Sequence, residues 1–79
     1  MTLTGEERSL LKKLCTSSVR VLEGEIPLQE ADFPSYSVTS DEWNAGYDMV
    51  SIGAISVGSS TMRITTIGLL IARHLGIIE

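Results

Sequence analysis

The chain has 79 residues, of which 43% are hydrophobic and 20% charged, and its formal net charge is −4. A chain of this length supports one hydrophobic core, and its composition argues against disorder, so we expect a single domain over residues 1–79. The negative charge disfavours attraction to nucleic-acid phosphates or anionic lipid, and it is compatible with a basic protein partner.

The first helix is predicted from its capping residues. Thr4 and Glu7 have the spacing of a capping box, in which each side chain satisfies a free backbone amide of the other residue. Apolar and small residues then recur at helical spacing: Leu10, Leu11, Leu14, Ser18, Val21 and Leu22. This pattern predicts a helix over Gly5–Leu22 that is closed by Gly24. The following segment, residues 24–38, contains both prolines of the chain, and its sequence does not determine its conformation.

A second helix is predicted after Thr39. Thr39 and Glu42 repeat the capping-box spacing, and Val38 and Trp43 have the spacing of a hydrophobic staple. We expect this helix to bury Trp43, Tyr47, Val50 and Ala54 and to expose a polar stripe of Asp41, Asn44, Asp48 and Ser51. Trp43 and Tyr47 have an alternative role as anchors of an interface, although the staple favours the core for Trp43.

A hairpin and a third helix complete the chain. Two β-prone runs on either side of Gly58, Ser59 and Ser60 predict a hairpin with Ile55, Val57, Met62 and Ile64 on its inward face. Thr65 is expected to cap the last helix and Gly76 to end it. This helix is apolar around nearly its whole circumference, so it must be buried on more than one side. We therefore expect a homodimer with an interface formed by Ile67, Leu70, Ile71, Leu75 and Ile78.

Charge is unevenly distributed along these elements. No Lys or Arg occurs from Val21 to Met62, whereas the same stretch contains Glu23, Glu25, Glu30, Asp32, Asp41, Glu42 and Asp48. Ordinary soluble surfaces mix charges of both signs, and a surface of one sign attracts partners of the other. The sequence therefore predicts a partner-binding surface of Asp41, Glu42, Asn44, Asp48 and Ser51. The alternative interpretation is a solvated helix face that only keeps the chain soluble.

The order helix, irregular segment, helix, hairpin, helix resembles the winged helix-turn-helix superfamily. The resemblance is best over residues 50–75, where Ile52-Gly-Ala-Ile55 resembles the end of a recognition helix and the start of a wing strand. Met62-Arg-Ile-Thr65-Thr-Ile-Gly68 resembles the second wing strand leading into the last helix. The chain departs from the family between residues 24 and 38, where a clear second helix is missing. The resemblance implies an α+β, mostly α, small winged-helix-like domain.

The resemblance also implies a DNA-facing side. In that family the helix before the wing enters the major groove, and basic residues contact phosphates. Here the wing residues would be Ser59, Ser60 and Arg63, and the phosphate contacts would come from Arg8, Lys12 and Lys13. The groove-facing positions would include Asp41 and Asp48, whose carboxylates repel a polyanion, so direct DNA binding is disfavoured by charge.

Catalytic chemistry has few candidates in this chain. His74 is the only histidine and Cys15 the only thiol. We expect His74 to be partly buried on the apolar side of the last helix and Cys15 to be a small buried hydrophobe. No catalytic residue, metal ligand or cofactor site is predicted.

Three hypotheses follow from the sequence. The first is a non-enzymatic binding module that acts through a protein partner, with a basic or nucleic-acid-binding protein as one candidate, as phage-type inhibitors and accessory factors do. The second is a dimeric winged-helix DNA-binding transcriptional regulator. The third is a small structural subunit of a larger complex. In each case we expect a cytoplasmic protein that does not enter a membrane, because the longest apolar run is far too short to span one.

Overall fold

The described part of the chain forms three helices and three short strands. The computed structural model describes residues 3–23, 25–27, 29 and 32–78. In chain order the elements are α1 (Gly5–Leu22), β1 (Ser35–Ser37), α2 (Ser40–Val50), β2 (Ile55–Val57), β3 (Thr61–Ile64) and α3 (Thr66–His74). The strands form one antiparallel sheet in the order β1-β3-β2. The molecule is thus a small, mostly helical α+β domain, as the sequence predicted.

Each helix is capped at its N-terminus by the threonine that the sequence indicated. The backbone amide of Glu7 donates to Thr4 Oγ1 (3.2 Å), and that of Thr4 donates to Glu7 Oε1 (2.9 Å). Thr39 and Glu42 make the same pair of bonds at 3.2 and 3.0 Å. Thr65 Oγ1 accepts a hydrogen bond from the backbone amide of Gly68 (3.1 Å). These side chains satisfy amides that the helices leave free, so the predicted helix starts are confirmed. Gly24, predicted to close α1, lies outside the described residues.

The ends of α2 and α3 share one glycine motif. Gly53 and Gly76 have φ angles of +79° and +73°, which glycine adopts without the strain that a side chain would add. The residue after each glycine donates a backbone hydrogen bond across the last turn. The Ala54 amide donates to the Met49 carbonyl (3.1 Å), and the Ile77 amide donates to the Ala72 carbonyl (2.8 Å). This is a Schellman ending, and it confirms Gly76 as the end of the last helix.

Strand β1 is the element that the sequence did not predict. It lies in the segment with the two prolines and pairs with β3, with Tyr36 opposite Met62. Its three residues, Ser-Tyr-Ser, carry too little strand propensity to be recognised alone, so the pairing depends on β3. The chain from β1 to β2 is described at every position, and it contains one helix, α2.

The core lies between the helices and one face of the sheet. Met62 and Ile64 on the central strand are completely buried, as are Leu11 and Cys15 of α1. Ile55 is buried opposite Ile64, which confirms most of the predicted inward face. Val57 is the exception, because it is the last residue of β2 beside the exposed hairpin tip and is 38% exposed.

The rotation of α2 about its axis differs from the prediction. The buried residues of this helix are Gly46 and Met49, whereas Tyr47 is 60% exposed. Gly46 faces the central strand so closely that a Cβ there would lie 2.6 Å from Met62 Sδ and 2.9 Å from Leu10 Cδ2. This close approach turns the Gly46 side of the helix inward and therefore leaves Tyr47 outside.

Helix α3 packs through Gly68, Leu69 and Ala72, all of which are buried. Gly68 lies directly against the carbonyl oxygen of Ala54 and the side chain of Ile64. His74 is exposed, so its predicted partial burial is wrong: it lies on the side of α3 opposite these contacts. None of the helices in the described part of the chain is long and apolar enough to cross a membrane.

Two glycine substitutions test this packing. Gly68→Ala is expected to lower the free energy of unfolding by about 3 kcal/mol, because the new methyl group meets backbone that cannot move aside. Gly46→Ala should cost less, about 1 kcal/mol, because flexible Met62 and Leu10 ends give way and alanine favours the helix by roughly 1 kcal/mol. Urea unfolding followed by Trp43 fluorescence measures both, with Gly5→Ala, which meets nothing within 4 Å, as the control. Equal losses for Gly68→Ala and Gly46→Ala would contradict the packing.

Candidate protein-binding surface

The outward side of α2 is polar, acidic and exposed. Because Gly46 and Met49 face the core, the residues three and four positions apart on the opposite side share one face. We call this face the acidic surface: it consists of Asp41, Asn44, Tyr47, Asp48 and Ser51, all of which are exposed. Four of these are residues that the sequence predicted for partner binding. The fifth, Tyr47, was expected in the core.

Tyr47 is the functional candidate that the sequence interpretation missed. Its spacing from Trp43 and Val50 is helical, and this spacing suggested a common buried face. Trp43 and Val50 do pack against the core, but only partly buried, at the edges of the buried side. The signal that could have corrected the prediction is Gly46, because a glycine inside a helix indicates a close approach to neighbouring structure. That approach leaves Tyr47 exposed on the helix that carries Asp41 and Asp48.

Neither aspartate of the acidic surface is paired with a counter-ion among the described residues. Among the residues that the structure describes, the one ion pair joins Lys13 Nζ to Glu42 Oε2 at 2.7 Å. Asp41 and Asp48 are therefore not neutralised by a described side chain. The Ser51 hydroxyl does not offset the negative charge of the two aspartates either, since it donates to the backbone carbonyl of Asp48 (2.7 Å).

Glu42 plays a different part from the two aspartates. Its carboxylate accepts from Lys13 with one oxygen and from the backbone amide of Thr39 with the other. The hydrogen bond from Lys13, followed by that from Thr39, holds the pKa of Glu42 below its ordinary value of 4.5. Glu42 is half-buried and joins α1 to the start of α2. It was predicted as a partner-binding residue, and the structure shows it already engaged within the chain.

A groove extends the acidic surface towards α1. It has a volume of about 370 Å³ and lies between the first turns of α1 and α2, with Leu10 and Ala45 as its apolar part. Glu6 and Asp41 contribute carboxylates, and Lys13 contributes the ammonium that Glu42 pairs. The groove therefore offers an apolar contact area beside excess negative charge.

The predicted phosphate contacts of α1 lie on two sides of the helix, with Arg8 and Lys12, four positions apart, on one side and Lys13 on another. Lys13 points to Glu42 at the start of α2. Lys12 instead lines a depression beside the end of α3, together with Arg73 and Ile78. Arg8 is exposed on α1. Consecutive helix positions point in different directions, which is why neighbours in the sequence separate in space.

The predicted wing residues lie on and behind the hairpin. Ser59 and Ser60 are exposed at its tip, and Ser60 lines a depression with Trp43 and Asn44. Arg63 is half-buried on the central strand, and its Nε and Nη2 donate to Ser35 Oγ (3.2 and 3.0 Å). The hairpin tip thus adjoins the acidic surface, whereas Arg63 is engaged on the sheet.

Comparison of the chain with known protein families, with curated proteins and with solved structures gives no significant match. What the protein binds therefore has to be inferred from the charge and shape of its own surfaces. Of these, the acidic surface combines net charge with an exposed aromatic ring.

Cys15 has no role at this surface. Its side chain is completely buried in α1, as the sequence predicted. Burial raises the pKa of its thiol from 9.0 to about 12. The thiolate is the reactive form of cysteine, so this thiol is inert at neutral pH.

The Glu42–Lys13 contact predicts a shift in acid titration. Lys13→Met should raise the pKa of the Glu42 carboxyl towards its ordinary value, because the main hydrogen bond to the ionised form is lost. A lowered folded-state pKa adds stability above the unfolded pKa, and this stability disappears as the pH falls through the folded pKa. The variant should therefore lose less stability than the wild type on acidification below the ordinary pKa of 4.5. Carboxyl carbon NMR titration measures the shift, with Lys12→Met as a matched control that should leave Glu42 unchanged.

Because burial raises the pKa of the Cys15 thiol, we expect the folded protein to lose stability at alkaline pH. Because its folded-state pKa is raised, the unfolded chain ionises first, and stability falls as the pH rises from 9.0 towards 12. The expected slope is about 1.4 kcal/mol per pH unit beyond the other alkaline titrations. Urea unfolding of wild type and Cys15→Ala between pH 8 and 10.5 isolates it, because the variant retains every other titrating group. If the stability of the wild type and of Cys15→Ala fell in parallel with pH, or if the native thiol were labelled rapidly at pH 8, Cys15 would not be buried in the core.

Proposed function

We propose that the protein is a non-enzymatic binding module whose acidic surface docks on a basic surface of another protein. The observation that supports this most directly is the exposure of Tyr47 on the same helix as Asp41 and Asp48, which make no ion pair with any described residue. A purely solubilising helix face needs charge but gains nothing from an exposed tyrosine. A binding surface uses both.

Each component of the acidic surface has a physical role in this proposal. The aspartates attract a cationic partner and raise the rate of encounter. The Tyr47 ring offers a large contact area and an electron-rich face for a Lys or Arg side chain. The neighbouring groove, with Leu10 and Ala45, accepts the aliphatic part of a partner's Lys or Arg side chain. Glu6 and Asp41 of the same groove face the positive charge of that side chain. The partner is therefore a protein with exposed Lys or Arg residues.

The nature of the partner suggests the biological role. Proteins that bind nucleic acid present basic surfaces of this kind. A small acidic module that occupies such a surface acts as an inhibitor or accessory factor for its partner. If the domain is winged-helix-like, α2 is the helix that relatives insert into the major groove. The acidic surface then lies where phosphates would approach, which disfavours direct DNA binding.

Affinity capture from host extract tests the proposal when matched baits are compared. Asp41→Asn with Asp48→Asn should reduce recovery of a basic partner at least tenfold, and Tyr47→Ala should do so by a similar factor, about 1.4 kcal/mol. Glu23→Gln with Glu25→Gln removes the same charge from exposed positions elsewhere and should retain the partner. Recovery should fall as salt is raised, because exposed charges are screened. Equal recovery on all baits would contradict the proposed surface.

Titration onto mixed-sequence DNA at low salt tests the alternative function. The wild type should show no binding at micromolar concentration, whereas Asp41→Lys with Asp48→Lys should gain weak, salt-sensitive binding. Micromolar binding of the wild type that weakens steeply with salt would favour a DNA-binding regulator and would contradict the proposal.

A further inference from the structure

Helix α3 turns apolar side chains towards solvent. Ile67 and Leu70 lie one turn apart on its outward side and are 51% and 57% exposed. Ile67 reaches Gly53, and the adjoining Ile52 is itself 38% exposed. A surface helix normally carries polar residues on the side that faces away from the core. The outward side of α3 is therefore an unpartnered apolar face.

Helix α3 itself contributes no carboxylate to this face. No Asp or Glu occurs from residue 49 to residue 78, although the chain has a net charge of −4. Copies of an acidic protein repel one another through their carboxylates, so they approach at least cost through a face without any. Arg73 is the only Lys, Arg, Asp or Glu residue of α3. Charge thus disfavours self-association through α2 and permits it through α3.

The face carries an exposed side chain and a depression on one helix. Leu70, Ile71, His74 and Leu75 line a depression of about 400 Å³ at the C-terminal half of α3, and Ile67, 51% exposed, lies one turn before it. A twofold dimer pairs the same patch with itself, so an exposed side chain and the depression that receives it must lie in one patch. When two α3 helices run antiparallel, Ile67 of one copy lies opposite the depression of the other.

We propose that the outward side of α3, formed by Ile67, Leu70, Ile71 and Leu75, binds a second copy of this chain in an antiparallel α3–α3 contact. Ile78, which the sequence placed in the same interface, is not part of this surface. It lies instead in the separate depression beside Lys12 and Val19. The dimer leaves two acidic surfaces for partners, and it does not depend on the proposed function.

The contact is small, so the dimer is weak. Helix α3 has nine residues and is therefore about 14 Å long. A contact between two helices of this length buries less than the roughly 800 Å² per partner that is typical of stable interfaces. We expect dissociation constants on the order of 10 to 100 μM. Salt should strengthen the dimer, because it screens repulsion between acidic copies, whereas it weakens capture of a basic partner.

Sedimentation equilibrium from 1 to about 500 μM tests the dimer. Leu70→Glu should weaken association at least tenfold, because it places a carboxylate in the apolar contact. Val21→Glu adds the same charge at a position with similar exposure, 61%, on α1 and should leave the dimer intact. Both positions are exposed, so both variants should keep the wild-type circular dichroism spectrum. A wild type that is monomeric throughout, or equal weakening by both variants, would overturn the proposal.

Two cysteine variants test the orientation of the helices. Cys15 is buried, so an introduced thiol is the reactive one in each variant. Mixed Ile67→Cys and His74→Cys proteins should form disulfide-linked dimers faster than either variant alone, because the two positions face each other across the antiparallel contact. Faster linkage of Ile67→Cys to itself would contradict that arrangement. Leu70→Glu should still capture a partner through α2, so the dimer and the proposed function can fail separately.

Discussion

The fold depends on how closely α2 and α3 approach the central strand. Met62 and Ile64 of β3 are completely buried, and each lies against a glycine of a covering helix, Gly46 in α2 and Gly68 in α3. A side chain at either glycine would occupy the space that its neighbours fill. Since only one side of each helix can come this close, the two contacts fix the rotation of both helices about their axes. That rotation determines which residues are left for solvent and for partners.

Two surfaces of opposite character result from this packing. With Gly46 inward, α2 presents Asp41, Tyr47 and Asp48 outward, and with Gly68 inward, α3 presents Ile67 and Leu70. The ion pair between Lys13 and Glu42 joins α1 to the start of α2, so one carboxylate of the acid-rich stretch serves the fold, whereas Asp41 and Asp48 make no ion pair with a described residue. We propose the acidic surface as the site for a cationic protein and the outward side of α3 as the site for a second copy. The separation of the charges thus follows from the positions of two glycines.

Local signals in the sequence predicted the helices and the hairpin, because capping boxes, turn glycines and alternating residues act over a few positions. Strand β1 was missed since its short polar segment becomes a strand only by pairing with β3. The exposure of Asp41, Asn44, Asp48 and Ser51 was predicted correctly, but Tyr47 and His74 were placed on the wrong side of their helices. Helical spacing indicates that an apolar stripe exists and leaves its edges uncertain by a residue. Close approach through Gly46, a long-range contact, resolves the edge of α2.

We propose that a protein partner binds to the acidic surface of α2. The most direct measurement is amide chemical-shift mapping of the isotope-labelled protein titrated with the partner recovered by capture. The account predicts that the largest changes fall on Asp41, Asn44, Tyr47, Asp48 and Ser51, with smaller changes at Glu6 and Ala45 in the groove. Changes concentrated on the outer face of the sheet or on α3, with α2 unaffected, would contradict it.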